Sequence, residues 1–438
     1  MDGDVITGFP ELGIYFPRIL FPDQERVDLK KWAVVACDQY TSEEDYWKRV
    51  EEYVGEAPST LRLTFPEVYL EKGRDGVLIS GIRATMERYE SEKLFKESNC
   101  NGFVLVERTT RSGIVRRGLV LALDLEQYSF KEGTKTLIRP TEKTIEARIP
   151  PRLAIRRSAR VEIPHIIVLI DDPSERDLIT QLAEEYSRKQ SPLYDTDLME
   201  NSGHVRGYFI DDSKAMEKIQ THLHALLADQ KDSSPLLFAV GDGNHSLATA
   251  KALWEEVKKN HEYNHPARYA LVEIQNCQDP TLEFEPINRL IFGGAENLLS
   301  DLKIWFENSG QGPVKISFNS KINENDPKIF EFVHKGVRGS IHVGNANKIL
   351  PVAYMTDFLD AWLTQHKGES RIDYVHETAA IDRFCTGEHA ENMGFIFSSM
   401  PKSDLFRTVV NEGVLPRKTF SMGRPHDKRF YLEARYIV

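Results

Sequence analysis

Hydrophobic and polar positions alternate along the chain with the periods of strands and helices. The clearest case is the stretch 236–259, which begins with a five-residue apolar run at 236–240, the length of a buried strand. Gly241 and Gly243 then permit a tight turn, and Asn244 or Ser246 is predicted to cap a helix. The apolar stripe of that helix consists of Leu247, Ala250, Trp254 and Val257.

The same patterns predict further elements before and after this stretch. Predicted strands cover 32–36, 102–109, 115–123, 137–138, 166–170, 204–210 and 268–274. Predicted helices cover 77–96, 173–189 and 214–227. A strand at 32–36 would put Asp38 in a strand-to-helix turn like that of Asp242, with Thr41 or Ser42 capping the helix that follows.

This order of elements predicts an α+β protein with a mixed sheet in its first part and a smaller α+β unit at its C-terminal end. Gly293 and Gly294 form the best candidate boundary. The predicted domains are therefore 1–294 and 295–438. With 438 residues, the chain is long enough for two or three packed units.

Composition narrows the classes of function. Hydrophobic residues make up 41% and charged residues 28%, which is typical of globular proteins. The net charge of −11 argues against broad nucleic-acid binding, which depends on neutralising phosphates. The four cysteines are scattered, the central apolar run at 166–170 is too short to span a bilayer, and the N-terminus does not resemble a signal peptide. We therefore expect a cytoplasmic protein without a membrane or nucleic-acid partner, and the sequence is compatible with an oligomer.

The turn at 241–246 is the first candidate site. Asp242, Asn244 and His245 lie where the predicted strand ends and the predicted helix begins. Backbone N–H groups at the start of a helix favour anions such as phosphate. The alternative is an ordinary turn whose polar groups satisfy one another.

A second candidate is a run of arginines without any acid between them. They are Arg148, Arg152, Arg156, Arg157 and Arg160. Arginine is suited to bidentate contact with phosphate or carboxylate, and a strand over 153–163 would put Arg156 and Arg160 on one face. The alternative is a set of surface ion pairs with the abundant acidic residues. For the cluster as a whole, we favour an anion site.

Several well-known catalytic patterns are absent from the sequence. It has no Walker A motif and no kinase glycine loop. It has no HEXXH and no paired CxxC for zinc, and Ser246 does not lie in G-x-S-x-G.

Gly-Asp-Gly-Asn-His-Ser-Leu-Ala at 241–248 resembles the Asp-Gly-His-His-Arg signature of the family named domain of unknown function 1015. The segments 33–42, 266–292 and 413–437 resemble a branch of the same family, so that the likeness covers nearly the whole chain. That family is similar to the ParB/sulfiredoxin superfamily, in which the corresponding turn binds nucleotide phosphates, and free serine kinases carry an Asp there. Ser246 stands where relatives usually have Arg.

The resemblance implies a ParB/sulfiredoxin-like core and a small-molecule phosphotransferase that uses ADP or ATP on a hydroxylated metabolite. Mg²⁺ is a candidate metal. Glu142 matches a His-Glu-x-Thr-like element in which Thr141 replaces His, and Glu142, Asp242 and His245 are the implied catalytic residues. The implied nucleotide-binding residues are Gly241, Gly243, Asn244, Ser246, Arg148, Arg156 and Arg160.

Two other functions remain open at this point. One is a nucleotide-binding regulatory switch that hydrolyses slowly or not at all. The other is a ligand-binding protein without catalysis.

Overall fold

A computed structural model describes residues 6–41, 43–69, 75–230, 234–261, 264–319, 329–345 and 348–438. The chain forms two compact units: unit 1 comprises Met1–Leu282 and Gly423–Val438, and unit 2 comprises Glu283–Met422. The unit boundary therefore lies ahead of the predicted Gly293–Gly294 position. In addition, the end of the chain returns to unit 1 instead of belonging wholly to a C-terminal domain.

Strands and helices alternate through both units. The strands are β1 (Gly8–Phe9), β2 (Ile14–Tyr15), β3 (Leu20–Pro22), β4 (Phe95–Glu97), β5 (Phe103–Thr109), β6 (Val115–Asp124), β7 (Ile138–Pro140), β8 (Val161–Glu162), β9 (Ile167–Ile170), β10 (Tyr194–Asp197), β11 (His204–Ile210), β12 (Phe238–Asp242), β13 (Tyr269–Asn276), β14 (Phe284–Pro286), β15 (Asn288–Phe292), β16 (Val314–Phe318), β17 (Ile329–His334), β18 (Val337–Val343), β19 (Arg371–Val375), β20 (Met393–Ile396), β21 (Phe420–Met422) and β22 (Arg435–Tyr436). The helices are α1 (Leu29–Trp32), α2 (Glu44–Val54), α3 (Asp75–Ser91), α4 (Ile149–Arg157), α5 (Leu178–Lys189), α6 (Ser213–Ala228), α7 (Asn244–Val257), α8 (Leu298–Asn308), α9 (Pro351–Gln365), α10 (Thr378–Phe384) and α11 (Lys402–Asn411).

A large mixed sheet organises unit 1. Its strand order is β10-β11-β5-β6-β13-β9-β12-β7, and β2 joins β1 to β6. The pairs β12–β7 and β13–β9 are parallel, and the other pairs along this path are antiparallel. The predicted combination of helices with a large mixed sheet is thus confirmed.

Both faces of this sheet are covered, because its strands carry apolar residues on both sides. In β5, Val104 and Val106 belong to one buried cluster, whereas Phe103 and Leu105 belong to another. Successive side chains of a strand point to opposite faces, so the two clusters are the two layers of the core. The stripe of α7 packs in the second layer through Leu247, Ala250 and Trp254.

Unit 2 has its own antiparallel sheet, with the strand order β16-β18-β17-β20-β15-β19. β14 and β21 form a separate antiparallel pair. Within the described residues of the whole chain, no helix is long and apolar enough to cross a membrane.

Two predicted strands are wrong. Residues 32–36 make only an isolated bridge, Val35 with Phe430, after the short helix α1. Residues 153–163 divide between α4 and β8, because Pro150 and Pro151 favour the first turn of a helix. Arg156 and Arg160 therefore do not share the face of a strand.

The segment Gly423–Val438 supplies the partner that residues 32–36 need. Tyr431 donates its backbone N–H to the carbonyl of Val34 at 2.9 Å, and Ala36 donates to the carbonyl of Arg429 at 2.9 Å. The pairing joins residues nearly 400 positions apart, which local periodicity cannot reveal. The segment continues into β22, which pairs with β8.

Candidate functional site

The turn between β12 and α7 is built around Gly243. This residue is the N-cap of α7 and has φ of 77°, in the left-handed region that glycine adopts readily. A Cβ at this position would lie 3.1 Å from the Cα of Ile166, so the turn also packs closely on the chain before β9. The predicted capping by Asn244 or Ser246 is wrong, since no side chain caps α7.

Asn244 instead ties the turn to β7. Its Oδ1 accepts the backbone N–H of Thr141 at 3.2 Å, and its Nδ2 donates to the carbonyl of Val240 at 3.3 Å. The Thr141 hydroxyl donates to the same carbonyl at 2.6 Å. Gly241 lies where the pairing of β12 with β9 shifts register. The strand end and the turn are therefore held together by side-chain amide and hydroxyl groups.

Glu142 and Asp242 lie at one edge of the sheet. Strands β7 and β12 run parallel, and Pro140 pairs with Val240. Glu142 and Asp242 each lie two residues after this pair, where the two strands end. His245 also joins these segments, since its Nε2 accepts the backbone N–H of Ile145 at 3.1 Å. The three residues assigned catalytic roles from the resemblance thus occur on two neighbouring segments.

Asp242 forms an ion pair with Lys428 from the C-terminal segment, with 3.0 Å between Oδ2 and Nζ. The side chains are 23% and 8% exposed, respectively. Burial raises the pKa of Asp242, but Lys428 and the nearby His165 outweigh it and hold that pKa below its ordinary value. The carboxylate therefore stays ionised beside a cation at the start of α7.

His165 connects this ion pair to a chain of hydrogen bonds. Its Nε2 lies 2.9 Å from the Ser246 hydroxyl and 3.7 Å from Asp38 Oδ2, and its Nδ1 lies 2.7 Å from the Tyr431 hydroxyl. The phenol oxygen also accepts the backbone N–H of Cys37 at 3.0 Å.

Burial raises the pKa of Tyr431 well above its ordinary value, so the phenol keeps its proton and can donate a hydrogen bond. The side chains of Ser246, His165 and Tyr431 therefore form a hydrogen-bonded chain that joins the first turn of α7 to the C-terminal segment.

A cavity of about 160 Å³ opens beside the first turn of α7. Most of its wall is apolar and includes Leu63, Phe65, Met86, Val161 and Leu271. One end is polar and presents Ser246, His165 and Tyr431. The volume is close to the ~150 Å³ of a protein cavity that admits benzene.

Two of the clustered arginines line this cavity, and both have carboxylate partners. Arg152 pairs with Glu67, and Arg156 pairs with Glu162. Burial raises the pKa of Glu162, but Arg156 and Arg435 outweigh it and hold the pKa below its ordinary value. Each of the two arginines on the cavity wall therefore has a carboxylate partner within the protein.

The other arginines of the cluster lie elsewhere. Arg157 pairs with Glu256 at 2.5 Å, and Arg160 pairs with Glu90 at 2.7 Å. Arg148 is exposed, and neither it nor Arg160 is among the residues that line the cavity.

Sequence reasoning missed His165, Lys428 and Tyr431. His165 directly precedes the predicted strand at 166–170, and the other two lie in the family-like segment 413–437, which is also rich in basic residues. These signals mark the segments, but not the pairing of Lys428 with Asp242. That pairing depends on the return of the chain end to unit 1.

Within the described ranges, no group of three or more His, Cys, Asp or Glu side chains is arranged to hold a metal ion. Mg²⁺ does not need such a group, because it is commonly bound through one or two carboxylates together with substrate phosphates. The oxygen donors of Asp242 and Glu142 are of the type that Mg²⁺ prefers.

Comparison with solved structures finds distant likenesses. A free serine kinase in complex with AMP is 10% identical, with a TM-score of 0.40 over 72% of this chain and 90% of that one. A conserved hypothetical protein from Pyrococcus furiosus is 11% identical, with a TM-score of 0.39 over 72% and 94%. C-terminally truncated SbnI from Staphylococcus aureus is 8% identical, with a TM-score of 0.35 over 72% and 82%.

No curated protein matches the chain. A family match, in contrast, covers residues 17–362, and it confirms the resemblance seen in the sequence. This match includes the sheet-edge residues Glu142 and Asp242 and the whole of α7. The chain therefore belongs to the family described as "Protein of unknown function (DUF1015)".

Proposed function

We propose that this protein is a phosphotransferase that moves phosphate from ADP or ATP to a hydroxyl group of a small metabolite. The observation that carries the proposal is the Asp242–Lys428 ion pair at the start of α7, at the same sheet edge as Glu142. Phosphoryl transfer needs a phosphate cradle, cationic charge and a carboxylate that orients the nucleophile. The proposal also takes the mixed sheet of unit 1 as a ParB/sulfiredoxin-like nucleotide-binding core.

Each part of the site has a proposed role. The backbone at Gly243 and the first turn of α7 receives the phosphates, because N–H groups and the helix dipole favour anions there. Lys428 supplies the positive charge. It takes the place of the arginine that the resemblance to the family leads us to expect at position 246. Asp242 holds Lys428 in place. His245 positions the segment after β7 through its hydrogen bond from Ile145.

The proposed transfer is a single displacement. The acceptor hydroxyl oxygen forms a bond to the terminal phosphorus, while the bond from that phosphorus to the bridging oxygen breaks. The nucleotide leaves as ADP from ATP, or as AMP from ADP. Glu142 orients the acceptor hydroxyl and takes its proton, a role that suits a carboxylate within hydrogen-bond reach. Mg²⁺, held by Asp242 and the phosphates, would neutralise charge at the transferred group.

The test compares the wild type with Asp242→Asn and Asp229→Asn. Asp229 is an exposed aspartate at the end of α6 and serves as the matched control. ADP and ATP binding is measured by calorimetry, and product formation is measured across a panel of hydroxylated metabolites. We expect Asp242→Asn to abolish turnover, because Lys428 loses the carboxylate that holds it in place, while the protein still folds and binds nucleotide. Asp229→Asn should behave as the wild type.

Two results would replace the proposal. If wild-type protein binds neither ADP nor ATP, a ligand-binding protein without catalysis is the better description. If nucleotide binds but no acceptor is phosphorylated, and hydrolysis is slow or absent, a nucleotide-dependent switch takes its place.

A further inference from the structure

The cavity beside α7 has the features of a small-molecule site, and its shape and charge restrict the occupant. It is lined mainly by apolar side chains, with Leu63, Phe65 and Met86 on one part of the wall and Leu271 on another. Exposing such a surface to water is unfavourable, whereas an apolar ligand of matching size is stabilised by contact with it. The ~160 Å³ volume suits a body of about the size of benzene.

The ion pairs on the wall disfavour an anionic body. Arg152 and Arg156 line the cavity, but the carboxylates of Glu67 and Glu162 line it beside them and pair with them. A carboxylate or phosphate inside the cavity would have to compete with these internal partners. A buried charge without a partner of its own is strongly unfavourable. The part of the ligand that enters the cavity is therefore uncharged.

The polar end fixes where the ligand carries its polar group. The Ser246 hydroxyl lines the cavity and lies 2.9 Å from His165 Nε2, so it offers a polar group to a ligand there. Ser246 lies in the first turn of α7, and Asp242 ends the strand that leads into this turn. A ligand oxygen bound at Ser246 therefore lies at the same end of α7 as the Asp242–Lys428 pair.

From these three features we infer that the cavity binds the acceptor, and that the acceptor is an uncharged alcohol with an apolar body of about benzene size. Its hydroxyl group forms a hydrogen bond with Ser246 in the first turn of α7. This inference rests on the proposed function, because it names the acceptor of the same transfer. The competing occupant is the base of the nucleotide.

Benzyl alcohol is the probe, with benzoate and glycerol as comparisons. Binding to the full-length wild-type protein is followed by ligand-detected NMR. Benzyl alcohol should bind saturably, benzoate more than about tenfold more weakly because its charge finds no partner, and glycerol not detectably. Equal binding of benzoate, or no binding of benzyl alcohol, would overturn the inference. This comparison needs no variant, so it stands even if cavity variants fail to fold.

A matched pair of variants tests the location. Ala159→Phe places a ring in the cavity wall, whereas Ala154→Phe places the same ring on the exposed face of α4. We expect at least tenfold weaker benzyl alcohol binding in folded Ala159→Phe and unchanged binding in Ala154→Phe. Equal affinity in both variants would show that the probe binds elsewhere and would refute the assignment.

Nucleotide titrations separate this inference from the proposed function. If ADP and benzyl alcohol bind together, the cavity holds the acceptor. If ADP displaces benzyl alcohol competitively, the cavity holds the base, and the inference is wrong while the phosphotransferase proposal survives. If benzyl alcohol binds but neither ADP nor ATP does, the proposed function fails, and the role as acceptor fails with it.

Discussion

Lys428 sets the electrostatic state of the candidate site, although it is far from Asp242 in the sequence. Its side chain is 8% exposed and lies 3.0 Å from the Asp242 carboxylate. Burial alone would favour the protonated form of Asp242, and the ammonium reverses that preference. Lys428, together with the nearby His165, therefore keeps the carboxylate ionised.

Replacing Lys428 with methionine should raise the pKa of Asp242, because burial then acts without the ammonium. The measurement is an NMR titration of labelled aspartate carboxyl carbons. Since the wild-type pKa is lowered on folding, the pair stabilises the fold above the ordinary aspartate pKa, and this contribution is lost as the pH falls through the folded value. We expect Lys428→Met to cost about 1–3 kcal/mol at neutral pH.

Lys189→Met is the control for that titration. Lys189 is half-exposed and pairs with Glu185 on α5. Its loss should leave Asp242 unchanged. An unaltered Asp242 titration in Lys428→Met would contradict the assignment of Lys428 as the residue that holds Asp242 ionised.

At the scale of elements, the β12–α7 turn depends on a backbone conformation and on close packing together. Gly243 has φ of 77°, and the chain before β9 lies against its Cα. Gly133 separates the effect of backbone conformation from that of packing, because its φ is 76° and a Cβ added there meets nothing within 4 Å.

Gly243→Ala should therefore destabilise the protein by about 2–3 kcal/mol, and Gly133→Ala by about 1 kcal/mol. Both losses include the strain of an alanine in the left-handed region. The additional loss in Gly243→Ala comes from the contact with Ile166. Urea unfolding of both variants gives the comparison. Equal losses would mean that the chain around Ile166 adjusts without cost.

Elements with a strong local signal were predictable from the sequence. The strand at 204–210 is confirmed as β11, and the strands at 102–109 and 115–123 are confirmed as β5 and β6, which pair with each other. The strand prediction for 32–36 was wrong because an apolar run does not reveal whether the segment that pairs with it forms a full strand. The strand prediction for 153–163 was wrong because Pro150 and Pro151 favour the start of a helix, and this effect outweighed the strand-like composition of the residues that follow.

The candidate site shows the same division. The turn at 241–246 carries local signals, so its place at a strand end could be inferred from sequence, whereas Glu142 was identified only through the resemblance to the family. His165, Lys428 and Tyr431 act through partners that are distant along the chain. Similarly, no local pattern could show that Arg152 and Arg156 have carboxylate partners.

At the scale of the whole molecule, a buried ionic cluster joins the C-terminal segment to the large sheet. Arg429 pairs with Glu273 of β13 and with Glu433, and Arg108 of β5 lies 3.5 Å from Glu273. All four side chains are buried. Burial raises the pKa of Glu273, but Arg108 and Arg429 outweigh it and lower that pKa to about 2.

Glu273→Gln should cost about 3–5 kcal/mol, because it leaves two buried guanidinium groups without their shared carboxylate. The stabilisation from Glu273 is complete above its ordinary pKa of about 4.3 and is lost as the pH falls toward about 2. Urea unfolding from pH 7 to pH 3 should therefore show a smaller acid loss in the variant. Glu184→Gln, which removes an exposed partner of Arg176, should cost about 0–1 kcal/mol. Similar losses in both variants would contradict the structural role of the cluster.

Unit 1 is formed by two separate segments of the chain, and this has a consequence for biosynthesis. A ribosome must complete Glu283–Met422 before it makes Lys428, Arg429 and Tyr431. At about 5–20 residues per second, the nascent first segment waits on the order of ten seconds for these residues. During that interval, Glu273 lacks Arg429, and Asp242 lacks Lys428. The emerging chain therefore lacks the Lys428 ammonium until unit 2 has been synthesised, so the phosphotransferase that we propose would become active only after that point.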